Sequence, residues 1–264
     1  MMNCIYFYLL SPLHTGGTTQ EGNLVGIARE SHTNLPYIPS STIRGRLRAT
    51  VYQQDEEQCF RLFGTDLETA EQLQQGDIWI GDGCLLWVPV PSLSHGVVWV
   101  SSPFLLRRWQ TRQKQEGVNQ KAEIPAPYSC NFTQDNNIYL KDAIIKSDKL
   151  QSFNNWESFL PKHTTGVDKV LVLPDQHCST LIQMSLWRQV KIKLDQHKSV
   201  EGGFRYEEAI PPDSLMYFTW GLTRQANGTG DQSFQDFQTL IQENDIIQIG
   251  GQESLGRGFV QQWE

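Results

Sequence analysis

Apolar and polar positions along the chain follow two periods, which together predict a mixture of strands and helices. Period-2 alternation and short continuous apolar runs predict strands, whereas apolar residues at i, i+4 and i+8 predict a helix. The predicted strands are residues 3–10, 77–80, 84–88, 97–100, 181–186, 190–194, 200–208, 215–220 and 246–249. The predicted helices are residues 43–52, 104–109 and 234–241.

Two pairs of these strands are expected to be neighbours in a sheet. Residues 77–80 and 84–88 flank Gly81-Asp82-Gly83, which predicts that they pair around a turn containing Asp82. Residues 190–194 alternate strictly, and we expect residues 200–208 to return beside them as the second strand of a hairpin.

The stretch from residue 110 to residue 170 breaks the pattern. It is polar and shows no clear period, which predicts a long insertion with short local structure rather than a linker between domains. The apolar start at 3–10 is short, lacks a basic region and ends at Ser11-Pro12, so we expect a buried strand and not a signal peptide or membrane span.

Composition narrows the class of protein. The chain has 264 residues, enough for a sizeable core, and its five cysteines are scattered without a CxxC pair, which predicts a reduced, cytoplasmic protein. The six histidines show no metal-ligand spacing, so neither a metal nor another cofactor is expected. A net charge of -7 argues against nucleic acid, but arginines concentrate in residues 29–61, so a basic face on an acidic body stays open.

The glycine-rich segment from Gly250 to Gly258 is the first candidate for chemistry. Its glycines are Gly250, Gly251, Gly256 and Gly258, and Arg257 stands between the last two. Glycine allows close backbone approach, successive N–H groups form an anion-binding concavity, and arginine suits phosphate. The segment is neither a P-loop nor a dinucleotide-binding fingerprint. It is equally compatible with a tight β-connection that needs positive φ.

The segment from Ser40 to Arg48 is a second candidate anion site. Ser40 and Ser41 offer hydroxyls for the N-cap of the predicted helix, where free N–H groups favour anions. Arg44 and Arg48 share one helical stripe, while Arg46 points elsewhere. The alternative is an ordinary capped helix with a solvated basic face.

Side chains capable of proton transfer are few. His14 follows the first strand and is a candidate general base for a ribose 2′-hydroxyl, although a histidine in such a loop also serves as a simple hydrogen-bonding residue. Glu207 and Glu208 are adjacent on a predicted strand and therefore point to opposite faces, which favours a structural role over a catalytic pair.

Several segments, taken in order, carry a resemblance to a known family. The stretches that match are residues 10–16, 29–48, 62–64, 89–96, 99–103, 201–212 and 250–260, which include Leu10-Ser11-Pro12-Leu13-His14-Thr15-Gly16 and Glu201-Gly202-Gly203-Phe204-Arg205-Tyr206. Their order resembles the RAMP superfamily, specifically the backbone subunit that is repeated along the guide RNA in type III-B CRISPR (Cmr) effector complexes.

The resemblance implies an α+β fold with a ferredoxin-like (RRM-like) core and large insertions, one of which is a β-hairpin thumb. It implies one RAMP domain over residues 1–264, with the insertion at about 110–170 and the thumb at about 186–210. It implies guide-RNA contacts from Ser40, Ser41, Arg44, Arg46, Arg48, Gly250, Gly251, Gly256, Arg257 and Gly258. The thumb residues that it implies are Arg188, Lys191, Lys193, Lys198 and Arg205.

The implied partners are guide RNA (crRNA), complementary target RNA, further copies of the chain and other subunits of the complex, without a membrane. The family also cleaves target RNA with an aspartate in the loop before Arg29-Glu30. This chain has Leu24 at that position, and leucine neither moves a proton nor holds a metal.

Three hypotheses therefore stand. The first is a guide-RNA-binding scaffold that positions target RNA for antiviral defence. The second is a ribonuclease that cleaves target RNA or processes the guide precursor; His14 and Glu21 are the candidate catalytic residues, and cleavage could involve a divalent metal. The third is a soluble α+β protein with an unrelated small anionic ligand.

Overall fold

Two β-sheets and five α-helices form the regular structure in the computed structural model, which describes residues 2–21, 24–65, 74–113, 122–132, 135–224, 226 and 228–264. The helices are α1 (Ser40–Tyr52), α2 (Glu56–Phe63), α3 (Pro103–Arg112), α4 (Asp175–Met184) and α5 (Gly230–Glu243). The first strands are β1 (Asn3–Leu9), β2 (Gly16–Glu21), β3 (Leu24–Ile27), β4 (Ile78–Ile80), β5 (Cys84–Ser92), β6 (Gly96–Ser101), β7 (Ser129–Cys130) and β8 (Ile138–Leu140). The remaining strands are β9 (Ala143–Ile145), β10 (Gln151–Ser152), β11 (Val170–Val172), β12 (Trp187–Leu194), β13 (Val200–Ala209), β14 (Leu215–Leu222), β15 (Ile246–Gln248) and β16 (Phe259–Trp263).

The larger sheet is built around β1 and β14. Its strand order is β10-β7-β11-β6-β5-β14-β1-β16-β15, with β4 also beside β14 and the β8–β9 pair beside β5. Strand β1 is antiparallel to both β14 and β16, and β14 is antiparallel to β5. The structure thus confirms the predicted combination of α-helices and β-sheets.

Alternate residues of the central strands enter two separate hydrophobic clusters. Ile5 and Phe7 of β1 pack with the buried faces of α1 and α5, while Tyr6 between them packs with Trp87 and Trp109. Since successive side chains of a strand point to opposite faces, each face of the sheet is covered by its own layer. None of the described helices is long and apolar enough to cross a membrane.

The smaller sheet has the order β12-β13-β3-β2. The hairpin β12–β13 is antiparallel, with Trp187 opposite Ala209 and an irregularity between Ile192 and Leu194. Strand β13 also runs parallel to β3, with Tyr206 opposite Leu24. The predicted hairpin partners are confirmed, and the segment before Arg29 lies in the same sheet as the hairpin.

Two expectations about secondary structure are wrong. Residues 181–186 were expected to form a strand, but α4 runs through Met184, because Cys178, Leu181 and Ile182 form one buried helical stripe. The expected pairing of 77–80 with 84–88 is also absent, since β4 and β5 both pair with β14, one after the other.

The glycines between β4 and β5 explain the second difference. A Cβ on Gly81 would lie 2.9 Å from Thr219 Oγ1, and a Cβ on Gly83 would lie 2.9 Å from Ile38 Cβ. The glycines therefore let the chain continue closely past β14 instead of reversing. Asp82 is a helix-capping residue here, because its Oδ1 accepts a hydrogen bond from the amide of Ser40 (2.7 Å).

Candidate nucleic-acid interface

The glycine-rich segment between β15 and β16, here called the terminal loop (residues 249–258), is held by its own hydrogen bonds. Gln248 is buried, and its Nε2 donates to the carbonyl oxygens of Gly250 and Arg257 (both 3.1 Å). The amide of Gly251 donates to the carbonyl of His14 (3.0 Å), which ties the loop to the segment after β1. Gly250 and Gly258 have φ of +80° and +76°. The loop is therefore a tight connection whose backbone conformation depends on glycine.

The side chain of Arg257 points from this loop into the protein. Only 4% of its surface is exposed, its Nη2 donates to Gln189 Oε1 (2.5 Å), and its guanidinium carbon lies 4.1 Å from the centroid of the Trp187 ring. Burial lowers its pKa from the usual value, and the carboxylate of Glu207 acts in the opposite direction. The sequence expectation of a guanidinium presented to phosphate does not match this inward orientation.

Glu207 accepts hydrogen bonds from several side chains at the base of the hairpin. It is 1% exposed, and it accepts from Lys191 Nζ (2.7 Å), Arg205 Nη2 (3.0 Å) and Gln252 Nε2 (2.9 Å). Burial would raise its pKa, but the hydrogen bonds from Lys191 and Gln252 and the nearby positive charges outweigh burial, so the pKa is lowered.

Glu208 makes an equivalent cluster on the other face of the same strand. It is 1% exposed, with Arg29 Nη2 at 2.7 Å from Oε2 and Arg188 Nη2 at 2.9 Å from Oε1. Its carbonyl oxygen lies 2.8 Å from His14 Nδ1. The expectation that the adjacent glutamates point to opposite faces in structural roles agrees with these contacts.

His14 is buried, with 7% of its surface exposed. A carbonyl oxygen only accepts, so Nδ1 carries the proton in its contact with Glu208, and in a neutral ring Nε2 is then the acceptor. The ring therefore has a hydrogen-bonding role within the fold.

Leu24 begins β3, beside Tyr206 of the hairpin and opposite Glu21 of β2. Gly22 and Asn23, which connect β2 to β3, lie outside the described residues, as does the side chain of Glu21. The position at which the resemblance expects an aspartate is therefore next to the hairpin.

Helix α1 differs from the expectation at its start. It begins at Ser40 with Pro39 as N-cap, and no side chain of its own caps it, so the predicted capping hydroxyls are wrong. Asp82 takes this role from another part of the chain. Ser41 is exposed and Ser40 is partly exposed.

The arginines of α1 have different surroundings. Arg44 donates to the carbonyl oxygens of Phe63 and Ile78, and its guanidinium lies over the Phe63 ring. Burial, followed by the charge of Arg48, lowers the pKa of Arg44. The structure therefore anchors Arg44 to α2 and β4. All three arginines are partly exposed.

The hairpin β12–β13 has paired charges and exposed apolar side chains. Arg188, Lys191 and Arg205 contact the two buried glutamates, and Lys193 lies 3.0 Å from Glu201. Lys198 lies in the turn with a φ of +61°. Six large apolar residues, each between 41% and 60% exposed, are Val190, Ile192, Leu194, Val200, Phe204 and Tyr206. Cross-strand pairing places these apolar residues on one face.

Sequence reasoning missed the residues that join the terminal loop to the hairpin: Trp187, Gln189, Gln248 and Gln252. No motif marks a glutamine whose partner lies far away in sequence. The apolar face of the hairpin was visible as alternation in β12. Among the described residues, no group of three or more histidine, cysteine, aspartate or glutamate side chains is arranged to hold a metal ion.

Comparison with known proteins identifies a matching family and similar structures. The sequence profile of the RAMP superfamily matches residues 6–261. The chain is 31% identical to the CRISPR system Cmr endoribonuclease Cmr4 of Pyrococcus furiosus, over 96% of this chain and 92% of that protein. The crystal structure of oligomeric Cmr4 from Pyrococcus furiosus is similar with a TM-score of 0.73 and 26% identity, covering 99% of this chain and 96% of that one. A subunit of type III-B Cmr-beta bound to cognate target RNA has a similar fold, with a TM-score of 0.76 and 19% identity, covering 99% and 96% of the two chains.

Proposed function

The chain belongs to the RAMP superfamily, and from this premise we propose that it is a guide-RNA-binding backbone subunit of a type III-B CRISPR (Cmr) effector complex. Several copies would lie along one guide RNA, with complementary target RNA and other subunits of the complex as further partners. The observation that carries the proposal is the match to Pyrococcus Cmr4 along nearly the whole of both chains. The similarity to an oligomeric Cmr4 supports assembly of copies.

The fold at the centre of the larger sheet is, in this proposal, a ferredoxin-like core. Its strands β16, β1, β14 and β5 are neighbours in the sheet in that order, and each is antiparallel to the next. Along the chain, α1 comes after β1 and α5 comes after β14. That arrangement is a β-α-β-β-α-β unit in which the first strand lies between the third and the fourth. The whole chain is then one RAMP domain, residues 110–170 are its insertion, and residues 186–210 form its thumb.

Guide-RNA phosphates would be held by two parts of the surface. The exposed start of α1 offers Ser40 and Ser41, with Arg46 and Arg48 supplying charge. The terminal loop offers a close approach for the RNA backbone at Gly251 and Gly256, which are exposed, and at Gly250, which is partly exposed. The expected contact from Gly258 does not fit, because this residue is buried, and the amides of Gly251, Gly256 and Gly258 donate to carbonyl oxygens within the fold. These contacts are largely independent of base identity, which suits a subunit that binds any guide.

The thumb would act on bases more than on phosphates. Its arginines and lysines are largely engaged with glutamates, whereas its apolar face is exposed. Aromatic side chains such as Phe204 and Tyr206 offer surfaces on which any base can stack.

Target cleavage is the alternative function, and the relative named as an endoribonuclease favours it. We propose that this subunit does not cleave, because Leu24 occupies the position of the expected aspartate and has no group for acid–base chemistry or metal binding. A guide-processing activity would require His14 or Glu21, and precursor RNA is its separate substrate.

The test of guide binding uses the tagged chain expressed with its neighbouring subunits and guide. We expect the purified assembly to contain guide RNA, with protection from nuclease at regular intervals. An assembly without RNA would exclude this function and favour a small anionic ligand.

The test of cleavage uses the same assembly with end-labelled complementary RNA. We expect the unmodified assembly to leave the RNA intact and Leu24→Asp to introduce cuts at regular intervals, with Leu24→Asn as the isosteric control. Regular cuts by the unmodified assembly, abolished in His14→Ala or Glu21→Ala, would establish the alternative.

A further inference from the structure

The terminal loop grips one rung of the hairpin from both strands. Arg257 bonds Gln189 of β12, and Gln252 bonds Glu207 of β13. Gln189 and Glu207 are direct cross-strand partners. The two side chains that flank the short turn Glu253–Leu255 therefore reach the same rung, one on each strand.

The loop that provides this grip is itself fixed. Gln248 spans its two ends, and the amide of Ile249 donates to the carbonyl of Gly258 (2.8 Å). A Cβ on Gly258 would lie 1.9 Å from the carbonyl oxygen of Ile249, so the backbone is closely packed there. A displacement of Arg257 is therefore resisted by the core strands β15 and β16.

The adjacent rung is held on the other face. Arg188 and Glu208 are cross-strand partners, and Glu208 is bound by Arg29. Successive rungs present their side chains to opposite faces of a hairpin. Contacts on both faces of neighbouring rungs oppose a rotation of the hairpin about its own long axis, which a single contact would leave free.

We propose that Arg257 is a positioning residue, which sets the direction of the thumb relative to the guide-RNA track by stacking on Trp187 and bonding Gln189. This inference rests on the proposed function and reassigns one residue within it. A phosphate contact would require an exposed guanidinium, whereas Arg257 is 4% exposed and its guanidinium carbon lies over an indole ring. The contribution of the loop to the RNA track is then the close approach that its exposed glycines allow.

The test uses the assembled complex with guide RNA that carries 2-aminopurine at successive positions, whose fluorescence rises when a base is displaced. The variants are Arg257→Lys, which keeps the charge but not the planar fork, and Trp187→Leu, which keeps the arginine but removes its stacking partner. Lys169→Gln is the control, because it removes a partly exposed, ion-paired lysine that lies outside the hairpin and the terminal loop.

We expect both test variants to lose the fluorescence contrast between displaced and stacked positions, while the salt dependence of guide binding stays that of the unmodified complex. The control should retain the contrast. Arg257→Gln, which removes the charge, is used for the salt titration alone. If it lowers the slope of log K against log salt by about 0.7 per subunit and Trp187→Leu changes nothing, Arg257 is a phosphate contact and the proposal is overturned.

A second measurement separates this inference from the proposed function. Amide hydrogen exchange in residues 187–209 is followed in the unmodified chain and the three variants, in the purified assembly whether or not it holds RNA. Faster exchange in Arg257→Lys and Trp187→Leu, but not in Lys169→Gln, supports the contact between the terminal loop and the hairpin. Unchanged exchange in the two test variants overturns it, while absence of RNA from the unmodified assembly counts only against the function.

Discussion

The terminal loop offers a prediction that separates backbone conformation from packing. Gly256 and Gly258 have nearly the same φ, +73° and +76°, so a side chain at either one is strained. A Cβ on Gly256 meets nothing within 4 Å, whereas a Cβ on Gly258 would lie 1.9 Å from the carbonyl oxygen of Ile249. Comparing Gly258→Ala with Gly256→Ala therefore isolates the close approach of the two chain segments.

The magnitudes follow from the contacts. A left-handed alanine costs about 1–3 kcal/mol, and that is the whole expected cost at Gly256. In Gly258→Ala the Ile249 carbonyl and residue 258 must also move apart. This movement breaks the hydrogen bond from the Ile249 amide to the Gly258 carbonyl (2.8 Å) and the one from the Gly258 amide to the Pro12 carbonyl (3.0 Å). Each bond contributes about 1 kcal/mol, so the total loss is about 3–5 kcal/mol.

Urea unfolding followed by tryptophan fluorescence measures both changes as shifts of the midpoint at constant slope. We expect the loss of unfolding free energy to be larger for Gly258→Ala than for Gly256→Ala by about 2 kcal/mol. Equal shifts would show that the loop relaxes around the added methyl group, and the rigidity assigned to the loop would be refuted.

Three further predictions concern the N-terminal cap of α1, the stability of the fold at low pH and the salt dependence of guide binding. Asp82→Ala should lower the free energy of unfolding by about 1 kcal/mol because it removes the acceptor for the first amide of α1, while Ser41→Ala should leave it unchanged, as measured by urea unfolding. Burial would raise the pKa of Glu30, but the hydrogen bonds and charge of Arg108, 2.6 Å away, outweigh it, so this pKa is lowered like that of Glu207. The stabilisation from both carboxylates is therefore present above the ordinary value of 4.5 and is lost as pH falls below it. Unfolding midpoints between pH 7 and pH 3 should show this loss, and Glu30→Gln should weaken the pH dependence. Arg46→Gln should reduce the salt slope of guide binding by about 0.7 per subunit in a filter-binding titration, and an unchanged slope would remove Arg46 from the RNA track.

Elements with a local signal could be predicted from the sequence. Helices α1, α3 and α5 and the hairpin β12–β13 carry their periodicity within a few turns or rungs, and each was found. Helix α4 was missed because the apolar run from Leu181 conceals a helical stripe that includes Cys178, three residues earlier. The helical period of this segment becomes visible only when Cys178, which lies outside the apolar run, is included.

Contacts across the fold could not be predicted in the same way. Gly81-Asp82-Gly83 has the composition of a turn, yet the glycines serve close passage beside Thr219 and Ile38. Arg257 has the chemistry of a phosphate ligand, and only the position of Trp187 decides that it lies inward. Residue type specifies which interactions a side chain can make, whereas its tertiary neighbours select one of them.

The distribution of charge on the hairpin bears on how an acidic chain would bind RNA. Lys191 and Arg205 meet in the carboxylate of Glu207, and Arg188 is paired with Glu208. A cation that already has a carboxylate partner gains less from a phosphate, since it must give up the first partner. Counting the basic residues of the thumb therefore overstates its attraction for phosphate. The same ion pairs stiffen the base of the hairpin. In the proposed function these charges would therefore contribute to RNA binding through the orientation of the exposed apolar face, and the phosphate contacts would fall to α1.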